Sequence, residues 1–132
     1  VALERYGTRT LANVLQPAIR VAEQGFEVDA FFVEQTTRNV DRFKLFTSTA
    51  NLFLPGGKPM PVGTLFTNPE LAKTYRRVAQ EGSKAFYQGE IARAIVGAVA
   101  RPPVAPDAPR AVRPGAMALS DLAEYEVRIR QR

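Results

Sequence analysis

The sequence predicts a mainly α-helical chain, built from helical hairpins, with one short β-hairpin and a C-terminal strand. Three observations lead there. Residues 68–100 (NPELAKTYRRVAQEGSKAFYQGEIARAIVGAVA) carry two apolar stripes of helical period with start and stop residues intact. Residues 52–66 set Pro55, Gly56 and Gly57 between two short apolar runs, the pattern of a turn between strands. Residues 125–130 alternate Tyr125, Val127 and Ile129 with Glu126, Arg128 and Arg130, the period of a half-buried strand.

The first of these is the most complete. Asn68 suits an N-cap, Pro69 the first helical position, where no N–H partner is needed, and Glu70 the positive end of the helix dipole. Leu71, Tyr75, Val78 and Ala79 fall on one face, and Lys73, Arg76, Arg77 and Gln80 on the other. Gly82 stops this helix. Ser83 is then placed to cap a short turn that sets Phe86 and Tyr87 in an elbow, and after Gly89 a second stripe runs through Ile91, Ile95, Val96 and Val99.

From the N-terminus, residues 1–6 read as the last turns of a helix that stops at Gly7. Thr8 or Thr10 caps residues 11–15, and Pro17 starts a second helix over 18–24 that Gly25 ends. Asp29 caps a helical stripe of Phe32, Val33, Thr36, Val40 and Phe43. Phe31, Phe32 and Val33 read as core packing rather than a ligand pocket, because aromatic clusters at helical spacing are usually interior. Ser48 caps a turn reaching Phe53. The hairpin arms are then residues 52–54 and 60–66, with Pro59 and Pro61 confining the second arm to an edge. Gly56 and Gly57 do not make a phosphate cradle, since Lys-Pro and an extended segment follow them rather than a helix.

Residues 101–114 (RPPVAPDAPRAVRP) hold half of the ten prolines and read as an extended solvated connector, although Pro103/Pro106 and Pro106/Pro109 have PxxP spacing. Ser120 then opens a helical turn before the final strand. Three regions result: a helical region over 1–100 with the β-hairpin near 52–66, a proline-rich loop over 101–114, and a helical turn plus strand over 115–132.

A chain of 132 residues that is 45% hydrophobic can build one modest core. The 18 Lys and Arg against 13 Asp and Glu leave a net charge of +5. The basic residues are interspersed with acidic ones, as in Glu34/Arg38 and Asp41/Lys44, so they read as a solvated surface and not as a nucleic-acid footprint. No cysteine is present, which excludes disulfides and thiolate metal sites. No histidine is present either, which excludes a Ser-His-Asp triad, a histidine zinc site and a histidine base within these residues. No apolar run is long enough to span a membrane, and residues 1–12 lack the pattern of a secretory signal.

The run PELA…AFYQGEIARAIV within residues 69–96 has companions in ERYGT (4–8), PAIRVAEQGFEV (17–28), LFLPGGKP (52–59) and DLAEYEVRIR (121–130). Together these five motifs resemble, in order and spacing, the large-subunit segment of the γ-glutamyltranspeptidase family of N-terminal-nucleophile hydrolases. The resemblance implies a piece of a larger α+β fold of αββα type, lying beside its core. It implies a parent enzyme that transfers or hydrolyses γ-glutamyl groups of glutathione-type substrates. Its precursor cuts itself to free an N-terminal Thr, which is nucleophile and, through its own amino group, base. None of Thr8, Thr10, Thr36, Thr37, Thr47, Thr49, Thr64, Thr67 and Thr74 sits in the family's Thr-Thr-His type cleavage motif. The family's carboxylate-binding arginine lies upstream of the matched segment, and its oxyanion and α-amino contacts lie in the small subunit. The resemblance therefore assigns this chain no catalytic, cofactor-binding or metal-binding residue. It implies as partners the rest of the large subunit and the small catalytic subunit of the same precursor, and a periplasmic or secreted location. Self-association through uncovered apolar faces is expected of the chain alone.

Two departures from the family pattern stand out. The family has a shorter, glycine-containing link where residues 101–114 lie, and Gly-Gly before an apolar residue and then a Ser or Thr cap where Ala116 and Ala118 stand, which leaves capping to Ser120 or starts the turn later. Two other function classes fit the residues without explaining the motifs: a freestanding helical interaction module, and a basic nucleic-acid binder whose retention on DNA would fall steeply with salt.

Overall fold

The computed structural model describes residues 1–130. It is mainly helical. The elements are α1 (Ala2–Tyr6), α2 (Leu11–Gln24), β1 (Phe26–Glu27), α3 (Ala30–Arg38), α4 (Val40–Phe43), α5 (Thr47–Phe53), a 3-10 turn (Pro55–Gly57), β2 (Leu65–Phe66), α6 (Pro69–Glu81), α7 (Ser83–Tyr87), α8 (Glu90–Ala100) and α9 (Leu119–Ala123).

Pairing of α2 with α6 organises the chain. Buried Ile19 and Ala22 of α2 meet Ala72 of α6, with Leu15 and Tyr75 packed around them. Alanine at these contacts lets the helix backbones approach, so Leu71, expected on the buried face, is displaced to the rim and is exposed. Ala85 and Ala92 are likewise fully buried in α7 and α8, while Ile91, Ile95, Val96 and Val99 are half-buried around them. The end of α2 is fastened to the start of α6 by Asn68 N–H donating to the Ala22 carbonyl at 2.7 Å. Asn68 also caps α6 as its sequence predicts, its side chain accepting from Leu71 N–H at 3.0 Å. Asp29 caps α3 in the same way, accepting from Phe32 N–H at 2.7 Å.

The expected β-hairpin over 52–66 does not form. Residues 52 and 53 are the last turn of α5, and Leu65 and Phe66 pair instead with α2's exit segment, antiparallel, with Phe26 opposite Phe66 and Glu27 opposite Leu65. Val28 N–H donating to the Thr64 carbonyl and Gly63 N–H donating to the Val28 carbonyl continue the pairing. A two-residue strand gains little from a local turn, so burial of the adjoining side chains decides its partner. Gly25 permits the approach: it sits at φ 84°, and a Cβ there would lie 2.6 Å from the Phe66 carbonyl oxygen.

The C-terminal strand is also not formed. Residues 125–130 take no regular structure, and no ladder hydrogen bonds reach residues 126–130 among the described residues. An alternating pattern supplies faces but not a partner edge for its N–H and C=O groups. Tyr125 stacks on Tyr87 at the α7 elbow, ring centroids 5.4 Å apart. Residues 131 and 132, included in the expected C-terminal region, lie outside the described residues.

Four expectations at helix ends are corrected. Residues 11–24 form one helix, not two, with Pro17 in its interior on an exposed side; its missing N–H removes the helical donor to the Asn13 carbonyl. Ser48 and Ser83 do not cap; Phe46 and Gly82 occupy those N-cap positions without a side-chain bond. Ser120 lies inside α9, and Asp121 instead accepts a hydrogen bond from Ala118 N–H at 2.9 Å.

Candidate functional site

Phenylalanines from five elements converge on one side of the α2–α6 pair. Phe53 at the end of α5 stacks on Phe66 of β2, centroids 5.5 Å apart, and lies 5.2 Å from Phe43 of α4. Phe32 of α3 stands 5.4 Å from Phe66 and 5.8 Å, edge-on, from Phe26 of β1. Four of these rings, Phe26, Phe32, Phe43 and Phe53, border an open cleft of about 410 Å³, whose polar lining is Glu27, Asp29, Gln35, Thr36 and Asn39. Phe31 sits at its mouth and is 68% exposed, against the expectation that it joins the core; helical geometry turns it away from Phe32. The sequence could not show that Phe26, Phe43, Phe53 and Phe66 meet, because they come from separate elements with no shared period.

A second cleft, between α6 and α8, is charged. Its cations are already matched. Lys73 Nζ lies 2.7 Å from Glu70, Arg76 pairs with Glu23 of α2, and Arg77 pairs with Glu90 of α8 and lies 3.3 Å from Glu81. The hydrogen bond and charge of Glu90 raise the Arg77 pKa above arginine's ordinary value. Arg76–Glu23 and Arg77–Glu90 cross-link helices, and the pairing of all three cations leaves little net field for an anionic ligand.

Five of the nine threonines are hydrogen-bonded through their side chains or buried. Thr10 caps α2, accepting from Asn13 N–H at 3.2 Å; Thr37 and Thr74 hydroxyls donate to the carbonyls one turn back, of Val33 and Glu70; Thr47 donates to the Pro103 carbonyl; Thr36 is buried. Among the described residues no group of three or more Asp or Glu side chains is placed to hold a metal ion, and no helix is long and apolar enough to cross a membrane. What the arrangement offers chemically is an aromatic cleft and a set of rigid helix pairs.

The sequence model of gamma-glutamyltranspeptidase matches residues 1–132, the whole chain. The chain belongs to the γ-glutamyltranspeptidase family. Among its relatives, the acylase ACY 1 proenzyme of Pseudomonas sp. (strain SE83) is 34% identical over 130 residues, which is 98% of this chain and 21% of the relative. The glutathione hydrolase proenzyme of Bacillus subtilis (strain 168) is 32% identical over 94 residues, 71% of this chain and 16% of the relative. The crystal structure of Helicobacter pylori γ-glutamyltranspeptidase superimposes with a TM-score of 0.82 at 29% identity, covering 95% of this chain and 33% of that one. This γ-glutamyltranspeptidase-family chain thus spans about a fifth or less of the length of the curated relatives it matches, and its helices superimpose on part of a larger structure.

Proposed function

We propose that this chain is a non-catalytic supporting segment of the large subunit of a γ-glutamyltranspeptidase-type proenzyme. The processed whole protein transfers or hydrolyses γ-glutamyl groups, glutathione among the substrate types, through a threonine freed at a new N-terminus outside residues 1–132. Such a threonine carries its own amino group as base, and so the chemistry asks for no histidine from a chain that has none.

The observation that carries this is where the family-like motifs fall. Within PAIRVAEQGFEV, Ile19 and Ala22 form the α2–α6 core and Gly25 makes the close pass beneath Phe66. Within LFLPGGKP, Phe53 closes the aromatic cluster, Leu54 is buried, and Gly56 turns the chain at φ 68°. These motif residues hold shape, which supports the reading of a structural segment. The apolar side chains left in solvent, Phe31, Val62 and Leu65 among them, are surfaces for the rest of the large subunit and for the small subunit. Export to the periplasm or outside the cell belongs to the same proposal.

Release of p-nitroaniline from γ-glutamyl-p-nitroanilide tests it. The processed product of the whole gene is expected to turn the substrate over and residues 1–132 alone to be inert. Turnover by residues 1–132 alone would end the supporting role.

A further inference from the structure

The proline-rich run 101–114, expected to be a solvated connector, is tied down at both ends. Its first limb crosses the corner between α4 and α5. Thr47 N–H donates to the Pro103 carbonyl at 2.9 Å, Ala105 N–H donates to the Leu45 carbonyl at 2.9 Å, and Val104 lies opposite Phe46 as an isolated antiparallel bridge. Thr47 Oγ1 adds a bond to the same Pro103 carbonyl at 3.2 Å. Beyond the limb the chain returns to where it left: Gly115 N–H donates to the Val99 carbonyl, in the last turn of α8, at 2.9 Å. The run is a compact loop with both feet on α8.

The first limb supplies something that α5 lacks. Thr47 is the first residue of α5, whose N-cap position is Phe46, with no side-chain oxygen to offer. The Pro103 carbonyl takes the orphan N–H that a capping side chain would otherwise satisfy. A proline-rich limb suits this task, because its backbone is already extended and loses little freedom when it pairs.

We propose that residues 102–105 form a clasp that fixes the α4–α5 corner to the end of α8, and thereby holds the Phe43 and Phe53 wall of the aromatic cleft in place. Opening the clasp frees that wall while the α2–α6 pair stays folded. The proposal depends on the observed contacts and not on the catalytic role of the parent enzyme.

Hydrogen exchange read by mass spectrometry on the full chain tests it with two variants. Thr47→Pro removes the donor to Pro103 at a first helical position, where proline is tolerated. Ala105→Pro removes the donor to Leu45 in a segment that is already extended. Each variant is expected to speed exchange over residues 40–53 by about tenfold, the effect of losing one or two net hydrogen bonds, with residues 11–24 and 69–81 unchanged. Exchange over 40–53 equal to that of the parent chain in both variants, or a rise spread equally over 11–24 and 69–81, would overturn the clasp.

Discussion

Phe53 and Phe66 lie face to face, ring planes 16° apart and centroids 5.5 Å apart, and through this stack the end of α5 meets β2. The two runs that sequence pattern assigns to the arms of one hairpin do come together. They meet by side chains, while the backbone of β2 turns to Phe26 and Glu27. The ring of Phe53 is therefore the joint between the α4–α5 corner and the α2–α6 pair.

Phe53→Ala should cost about 3 kcal/mol, the lower end of the range for removing a packed aromatic ring, since Phe53 is half-buried, read as a lower urea midpoint. Phe31→Ala, at a 68% exposed position, should change stability by less than about 0.5 kcal/mol. Equal effects would mean that the aromatic cluster does not hold these elements together.

Asn68→Ala should cost about 1 kcal/mol through the lost cap on Leu71 N–H. Asn68→Asp keeps the acceptor and adds negative charge at the positive end of α6, so its melting temperature should match or exceed that of the parent.

Gly25→Ala and Gly82→Ala both place a side chain at positive φ, 84° and 73°, each at a cost of about 1–3 kcal/mol. Only Gly25 also has backbone in the way, the Phe66 carbonyl oxygen 2.6 Å from the new Cβ, whereas nothing lies within 4 Å at Gly82. Gly25→Ala should be the more destabilising, by thermal melting.

Arg77→Gln should destabilise slightly, with a difference that shrinks as salt is added, because its partners Glu81 and Glu90 are solvent-exposed. The sign of the pH dependence follows from the raised Arg77 pKa. The stabilisation is fully present below arginine's unfolded pKa and is lost as pH rises through the higher folded value, so the window is strongly alkaline. Melting temperatures of parent and variant should run parallel with pH through neutrality.

What was legible in the sequence was local. Asn68 with Pro69, Asp29 before a helical stripe, and Gly25 and Gly82 as stops each state their conformation through a backbone bond or a φ preference within a few residues. What was not legible was pairing at a distance. Strand period over 125–130 named faces without naming a partner edge, and Pro55–Gly57 announced a turn without saying that its flanks would pair elsewhere. Stripes of Leu and Ile pointed to the correct helices but not to their most buried positions, which are Ala72, Ala85 and Ala92. The cap on α5 came from Pro103, far along the chain, and no nearby serine could reveal it. The candidate site follows the same rule: family motifs were readable as a set, while the aromatic cluster arose only when five separate elements met.

The central claim is that these residues support a catalytic threonine supplied elsewhere in the same precursor. The most direct test is to express the whole gene product that contains them and determine the intact mass and N-terminal residue of every mature fragment. The account predicts two fragments, the larger containing residues 1–132 uncut and the smaller beginning with Thr. An active, uncleaved single chain, or a new N-terminus inside residues 1–132, would contradict it.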